Sequence, residues 1–338
     1  MKVAGIEVGD RPLILAPMED VTNPPFRKFC KKYGADWLYS EFVSADALVR
    51  SVNKSLKKLT IDETERPVTI QIYGRFIDSM VEAAKIVEEV RPDFIDINFG
   101  CPVKRVAQKG AGAGMLKDIP LMVEMTRQIV QAVKITVTAK TRLGWDCEHI
   151  IIEDIAERLQ DVGIQALAIH GRTRSQMYSG EADWEPIARV KQNPRIKIPI
   201  IGNGDIDSPQ KVKEAFERYG VDGVMIGRAT IGKPWIFEQI KHYLTTGEML
   251  PELSVPAQIE IIKEQILLSM EWLDEVRGLF HMRRHMACMF KGLPHFRDLR
   301  IQMLQAPTIE ELWGVFDQIA ERYGSMDPED LVEEDLNS

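Results

Sequence analysis

Cys101 stands where an apolar run becomes a turn. Phe94-Ile-Asp-Ile97 leads directly into Asn98-Phe-Gly-Cys-Pro102, so a strand delivers a carboxamide and a thiol onto a bend shaped by Gly100 and Pro102. A cysteine inside an element packs as a small hydrophobe. One at a strand end stands where α/β proteins keep their chemistry. On this segment alone, both a packing cysteine and a reactive one fit.

Further polar residues end other apolar runs. They are Ala16-Pro-Met-Glu19, Gln71-Ile-Tyr-Gly74, Lys140-Thr-Arg142, His170-Gly-Arg-Thr173, Gly202-Asn-Gly-Asp205 and Gly227-Arg228. Packing explains one buried Lys or His. It does not readily explain so many strands bringing polar groups to one rim, because each unpaired group costs desolvation energy. Asn203, Gly204 and Asp205 with Gly227 and Arg228 have the look of a phosphate cradle, in which glycines let backbone N–H groups approach an anion and arginine adds a bidentate contact. Lys140 suits the charge on a reduced ring such as a flavin, or pairs with a rim carboxylate. Gln71 offers a donor and an acceptor to a ring edge.

Eight apolar runs must position these residues: Leu13–Ala16, Trp37–Tyr39, Val68–Ile72, Phe94–Ile97, Ile135–Ala139, Ala166–Ile169, Ile198–Ile201 and Val224–Ile226. Several are nearly continuous in apolar residues, as strands buried on both faces are. Between them, sets such as Met80, Ala83, Ala84, Val87 and Val90 repeat at helical spacing. Eight strand–helix alternations predict a (β/α)8 TIM barrel over 1–244. A doubly wound open sheet is the alternative, but no GxGxxG opens the first helix. Residues 245–253 read as a linker. Ser254 and Pro256 then start a helix, and Thr308-Ile-Glu-Glu311 is a capping box for the last one. Residues 254–323 are therefore expected to form a small helical domain, and 324–338 an acidic, disordered tail.

Net charge is −8, which argues against a generally basic nucleic-acid binder, but six of the acidic residues lie in that tail. Between Arg277 and Arg300 six Lys and Arg face the single Asp298. That segment fits either a solvated helix face or phosphate contacts. The cysteines Cys30, Cys101, Cys147 and Cys288 are scattered, with no CxxC pair, so neither a zinc site nor a disulfide scaffold is expected. No run approaches a membrane span and no signal-like apolar region follows Met1, so a cytoplasmic location is expected.

Together these motifs resemble the FMN-dependent tRNA-dihydrouridine synthases over nearly the whole chain, the bacterial B-type members most. The resemblance rests on Ala16-Pro-Met18, Asn98-x-Gly-Cys-Pro102, Lys140-Thr-Arg-x-Gly144, His170-Gly-Arg-Thr173, Asn203-Gly-Asp205, Ile226-Gly-Arg228, Gly232-x-Pro-Trp-Ile-Phe237 and Arg283-Arg-His285. One departure is Glu19-Asp20, where many relatives have Ala-Gly. The resemblance implies an oxidoreductase in which NADPH (or NADH) reduces FMN, and the flavin reduces the C5–C6 bond of a D-loop uridine in tRNA. It implies Cys101 as proton donor, since a free thiol with a pKa of roughly 8.5 is mostly protonated near neutrality. FMN would be held by Pro17, Met18, Glu19, Gln71, Lys140, His170, Asn203, Gly204, Asp205, Gly227 and Arg228. The substrate would be held by Asn98, Arg142 and Arg172, with Arg283 and Arg284 on an RNA-binding helical domain. No metal, membrane or obligate protein partner is expected. Two alternatives stay open: an FMN barrel of the dihydroorotate or dihydropyrimidine dehydrogenase kind acting on a free pyrimidine, and a non-catalytic RNA-binding barrel.

Overall fold

The computed structural model describes residues 1–326, so the expected disordered tail lies, from Asp327 on, outside the described residues. Ten strands occur among them: β1 Lys2–Val3, β2 Ile6–Glu7, β3 Leu13–Leu15, β4 Trp37–Ser44, β5 Val68–Tyr73, β6 Phe94–Asn98, β7 Thr136–Arg142, β8 Leu167–His170, β9 Ile200–Asn203 and β10 Gly223–Ile226. Strands β3 to β10 pair in order, all parallel, and β10 pairs back onto β3. This is the expected (β/α)8 barrel.

Its interior is packed at the N-terminal end. There β1 and β2 form an antiparallel hairpin, and Val3 and Val8 join the core of Trp37, Tyr39 and Phe94. Trp37 and Phe94 lie 4.7 Å apart at their ring centroids. The indole N–H of Trp37 donates to Thr69 Oγ1 at 2.6 Å. The floor is thus closed by side chains, and the C-terminal mouth is left for polar groups. Two-residue strands are too short to show a period, so the sequence pattern does not reveal this hairpin.

Strand β4 runs five residues past the apolar stretch expected for it. Its register against β5 shifts between Tyr39 and Phe42. The irregularity turns Ser40 and Glu41 toward partners of their own. Ser40 Oγ accepts the Gln71 backbone N–H at 3.1 Å, and Glu41 Oε1 accepts that of Asp20 at 2.9 Å. A bulge of this kind re-aims side chains at a barrel rim.

The chain divides into two compact units, Met1–Arg228 and Ala229–Ser338. The division falls before Leu244 because helix Ile236–Thr246 belongs to the second unit. Thr245 and Thr246, expected in a linker, end that helix, and Gly247 caps it at φ +79°. The second unit continues with helices Val255–Leu273, Glu275–Met286, Arg297–Gln305 and Ile309–Tyr323. Ser254 Oγ caps the first of these, on the Ala257 N–H, and Thr308 Oγ1 caps the last, on the Glu311 N–H. Gly278 is required where two helices cross, since a Cβ there would collide with the Met270 backbone.

Candidate active site

At the mouth, Asn98 ends β6 and organises the turn that follows. Its Oδ1 accepts the backbone N–H groups of Gly100 at 3.0 Å and Cys101 at 2.8 Å. An N–H only donates, so the orientation of this carboxamide is fixed. Its Nδ2 therefore faces Gln71 and donates to Oε1 at 2.8 Å. Gln71 Nε2 in turn donates to Asp96 Oδ2 at 2.7 Å, and Thr138 Oγ1 donates to Asp96 Oδ1 at 2.6 Å. A one-way chain of hydrogen bonds thus runs from a fully buried carboxyl inside the barrel to the cysteine turn. Burial pushes Asp96 up to about 7, against its hydrogen bonds to Thr138 and Gln71 and the charge of Lys140. Burial also raises the Cys101 thiol above its ordinary range, so it holds its proton at neutral pH.

Lys140 lies beside Asn98 across the β6–β7 register. Burial, and then Arg142, pull its pKa down to about 8. His170 is pushed well below the usual imidazole range, first by burial and then by the charges of Lys140, Arg142, Arg172 and Arg228. The mouth therefore holds a neutral imidazole among four cations, two of which, Arg172 and Arg228, share the Asp205 carboxylate, and the surplus positive charge suits an anionic ligand.

The expected phosphate residues meet at the ends of β9 and β10. Asn203 Nδ2 donates to the Met225 carbonyl at 2.8 Å and ties the two strands together. Asp205 Oδ1 accepts from Arg172 Nη1 at 2.8 Å and Arg228 Nη2 at 3.0 Å. Gly204 and Gly227 are glycines for different reasons. At Gly204, with φ +128°, a Cβ would lie 2.6 Å from the Ala182 Cβ, so the fold itself requires glycine. At Gly227 a Cβ would meet nothing closer than Ala16 Cβ at 3.5 Å and Met18 Sδ at 3.7 Å. The polypeptide does not demand glycine there, and the bare backbone leaves space at the rim.

Several residues expected at the ligand are engaged with the protein. Arg142 donates from Nε to the Gly100 carbonyl at 2.8 Å and from Nη1 to the carbonyls of Thr173 and Met177 at 2.9 and 2.8 Å. From the end of β7 it ties together the loops after β6 and β8. Arg172, 2 % exposed, gives both Nη atoms to Asp205 and also binds the Ser179 and Gly180 carbonyls. It stands behind the cradle, whereas Arg228 is exposed beside it. Met18 N–H donates to Thr22 Oγ1 at 3.1 Å, which sets the Pro17-Met18 bend. Glu19 pairs with Lys58 at 2.8 Å, and Lys58 also pairs with Glu41 at 3.2 Å. Glu19, Asp20 and Glu41 lie close enough together for a cation, and Lys58 provides the countercharge. In the second unit, Arg283 stacks on Phe280 at 4.0 Å and donates to the Ala306 carbonyl at 3.2 Å, while Arg284 is exposed. His285 of the same motif is fully buried beside Gln265.

Asp96, Thr138, Ser40, Glu41, Lys58 and Tyr178 also stand at the mouth or beside its residues and are not among the residues expected from the sequence. Asp96 carried a signal, a carboxylate in the middle of a doubly buried strand. Tyr178, exposed, lies under both Arg142 and Arg228, at 5.7 and 5.1 Å.

A model of the family described as dihydrouridine synthase matches residues 14–321. The tRNA-dihydrouridine synthase B of Pseudomonas aeruginosa is 42% identical over 290 residues, 86% of this chain and 87% of that protein. The probable tRNA-dihydrouridine synthase of Rickettsia bellii is 38% identical over 329 residues, 96% of this chain and 98% of that one. Among solved structures, a 2-naphthoyl-CoA reductase complex superposes with a TM-score of 0.57 at 13% identity, covering 72% of this chain and 51% of that one. A histamine dehydrogenase from Rhizobium sp. 4-9 gives 0.56 at 10% identity, covering 95% of this chain and 64% of that one. The chain spans less than two thirds of these two structures, and the likeness is one of fold.

Proposed function

The chain belongs to the dihydrouridine synthase family, and from that premise we propose that it reduces a D-loop uridine of tRNA to dihydrouridine, with FMN as cofactor and NADPH as reductant. The observation that carries this reading is the chain Asp96–Gln71–Asn98–Cys101, which holds a protonated thiol at the mouth of an electropositive barrel. The residues fit FMN. The bare backbone at Gly227, exposed Arg228 and the cation-ringed His170 suit its phosphate and polar ring edge. Lys140, half-buried at the end of β7, suits that edge, whereas Gln71 is fully buried with its amide engaged by Asn98 and Asp96. When bound, FMN supplies the reducing equivalents, taken from NADPH, that saturate the C5–C6 bond of the pyrimidine.

The residues of the chain do the rest. Asn98 holds the turn so that the Cys101 Sγ proton is presented at a fixed place. Burial keeps that proton on sulfur at neutral pH, so Cys101 gives it to ring carbon C5 as a general acid. Of the two Nδ2 hydrogens of Asn98 one goes to Gln71, and the other serves the uracil edge. A uridine stacked in folded RNA must be extruded to reach this mouth, which requires an RNA-binding surface. Exposed Arg284, Lys291 and Arg297 on the helical unit support one.

The test is to incubate the purified chain with FMN, NADPH and tRNA lacking dihydrouridine. Dihydrouridine should form in the tRNA, and neither orotate nor free uracil should be turned over. Turnover of the free pyrimidine without modification of tRNA would favour the small-molecule reading instead.

A further inference from the structure

Beside the loop that carries Cys101, the catalytic unit holds an open trough of about 610 Å3. One wall is the segment after the cysteine, with Ala107, Gly110 and Gly114. That segment is tied to the catalytic turn, since the Ala113 N–H donates to the Cys101 carbonyl at 3.1 Å. Another wall comes from the loops after β7 and β8 through Trp145 and Arg174. The Arg174 N–H joins these loops by donating to the Gly144 carbonyl at 2.9 Å.

Charge in the trough is one-sided. Arg75, Lys117 and Arg174 line it, and the one carboxylate among the lining residues is that of Asp118. Asp118 uses Oδ1 to cap helix Ile119–Ala132, accepting the Leu121 N–H at 3.1 Å. Lys117 and Arg174 both lie over the Trp145 ring, 4.0 and 4.7 Å from its centroid. The face of an indole attracts cations, so the ring gathers two like charges that would otherwise repel. Arg174 Nε is buried with no hydrogen-bond partner in the structure. Lys104, Arg105 and Lys109, all exposed, continue the positive charge along the same wall segment.

We propose that this trough takes the phosphodiester backbone of the RNA substrate next to the nucleotide being reduced. The proposal rests on the tRNA reading and adds where the catalytic unit grips the strand. Three cations, two of them gathered on one ring, against the single carboxylate of Asp118 leave a net positive trough that fits an anion. Their continuation over Lys104–Lys109 fits a polymer with one phosphate per nucleotide better than the few phosphates of a dinucleotide.

Lys117→Gln, Arg174→Gln and the double variant of the full-length flavoprotein test this. Binding of fluorescent tRNA is titrated at several salt concentrations, and thermal melts verify the fold. Lys117 is exposed, so its single variant keeps the test open if changes at Arg174 impair folding. Each lost phosphate contact should flatten the log–log salt slope by about 0.7–0.9, and the double variant should bind about tenfold more weakly at low salt. Equal affinity and slope for native and variant chains would overturn the proposal. So would unchanged tRNA binding with a raised KM for NADPH, which would give the trough to the dinucleotide. A native chain that binds no tRNA at all would bring down the tRNA reading, and this assignment with it.

Discussion

A thiol that donates a proton must still carry it at working pH; an ordinary thiol does so near neutrality, and burial extends that range upward for Cys101. Cys101→Ala should leave flavin content intact and slow uridine reduction by about 10²–10⁴-fold, the usual cost of a lost general acid. Because its pKa is raised, reduction of tRNA should fall only as pH climbs through and beyond the ordinary thiol range. Alkylation of Cys101 by iodoacetamide should rise over the same interval. Fast alkylation at pH 7, or a Cys101→Ala chain active within a few-fold of native, would contradict the role. Cys101, Asn98, Gln71 and Lys140 were legible in the sequence because reactive types at strand ends stand out. Their order in the hydrogen-bond chain was not. Gln71 and Asp96 are 25 residues apart and meet only through strand pairing. Arg142 and Arg172 were legible as residues and not as roles, because the carbonyls they hold belong to loops whose path the sequence does not show.

At the level of elements, β9 is held in place by an aromatic wedge. A Cβ on Gly202 would collide with Cζ3 and Cη2 at the edge of the Trp184 ring, and the Trp184 N–H donates to the Gly204 carbonyl at 3.1 Å. Gly202→Ala should therefore displace the indole, shift the turn at Asn203–Asp205 and loosen the proposed phosphate cradle. Overpacking of this kind costs about 1–3 kcal/mol. Urea unfolding should show that loss, and gel filtration should show earlier release of flavin. A variant with native stability and native flavin retention would separate the wedge from the cradle. The eight barrel strands were readable because doubly buried strands are nearly unbroken apolar runs. The β4 bulge was not, since Ser40 and Glu41 look like the polar end of a strand until their partners Gln71 and Asp20 are brought beside them.

Across the whole molecule, each unit buries an imidazole that resists protonation, His170 in the barrel and His285 in the helical unit. Burial, with His281 and Arg284, lowers His285 to about 3. The unfolded chain takes up this proton near 6.5, so the stability is present above that pH and is lost as pH falls toward 3. The slope is at most about 1.4 kcal/mol per pH unit for one such group. Between pH 7 and 5 the native chain should lose more stability to urea than His285→Leu. Equal losses would show that His285 is protonated in the folded state. The boundary between units was misplaced at Leu244 because the Ile236–Thr246 pattern is that of an ordinary barrel helix, and nothing local assigns it to the helices beyond.

In the proposed function this chain makes dihydrouridine in tRNA and needs the Cys101 proton to do so. The most direct measurement maps dihydrouridine in tRNA from cells lacking the chain and from the same cells given back the native or the Cys101→Ala form. At least one D-loop position should lose dihydrouridine in the deleted cells. The native chain should restore it, and Cys101→Ala should not. Unchanged dihydrouridine after deletion, or full restoration by Cys101→Ala, would contradict the account.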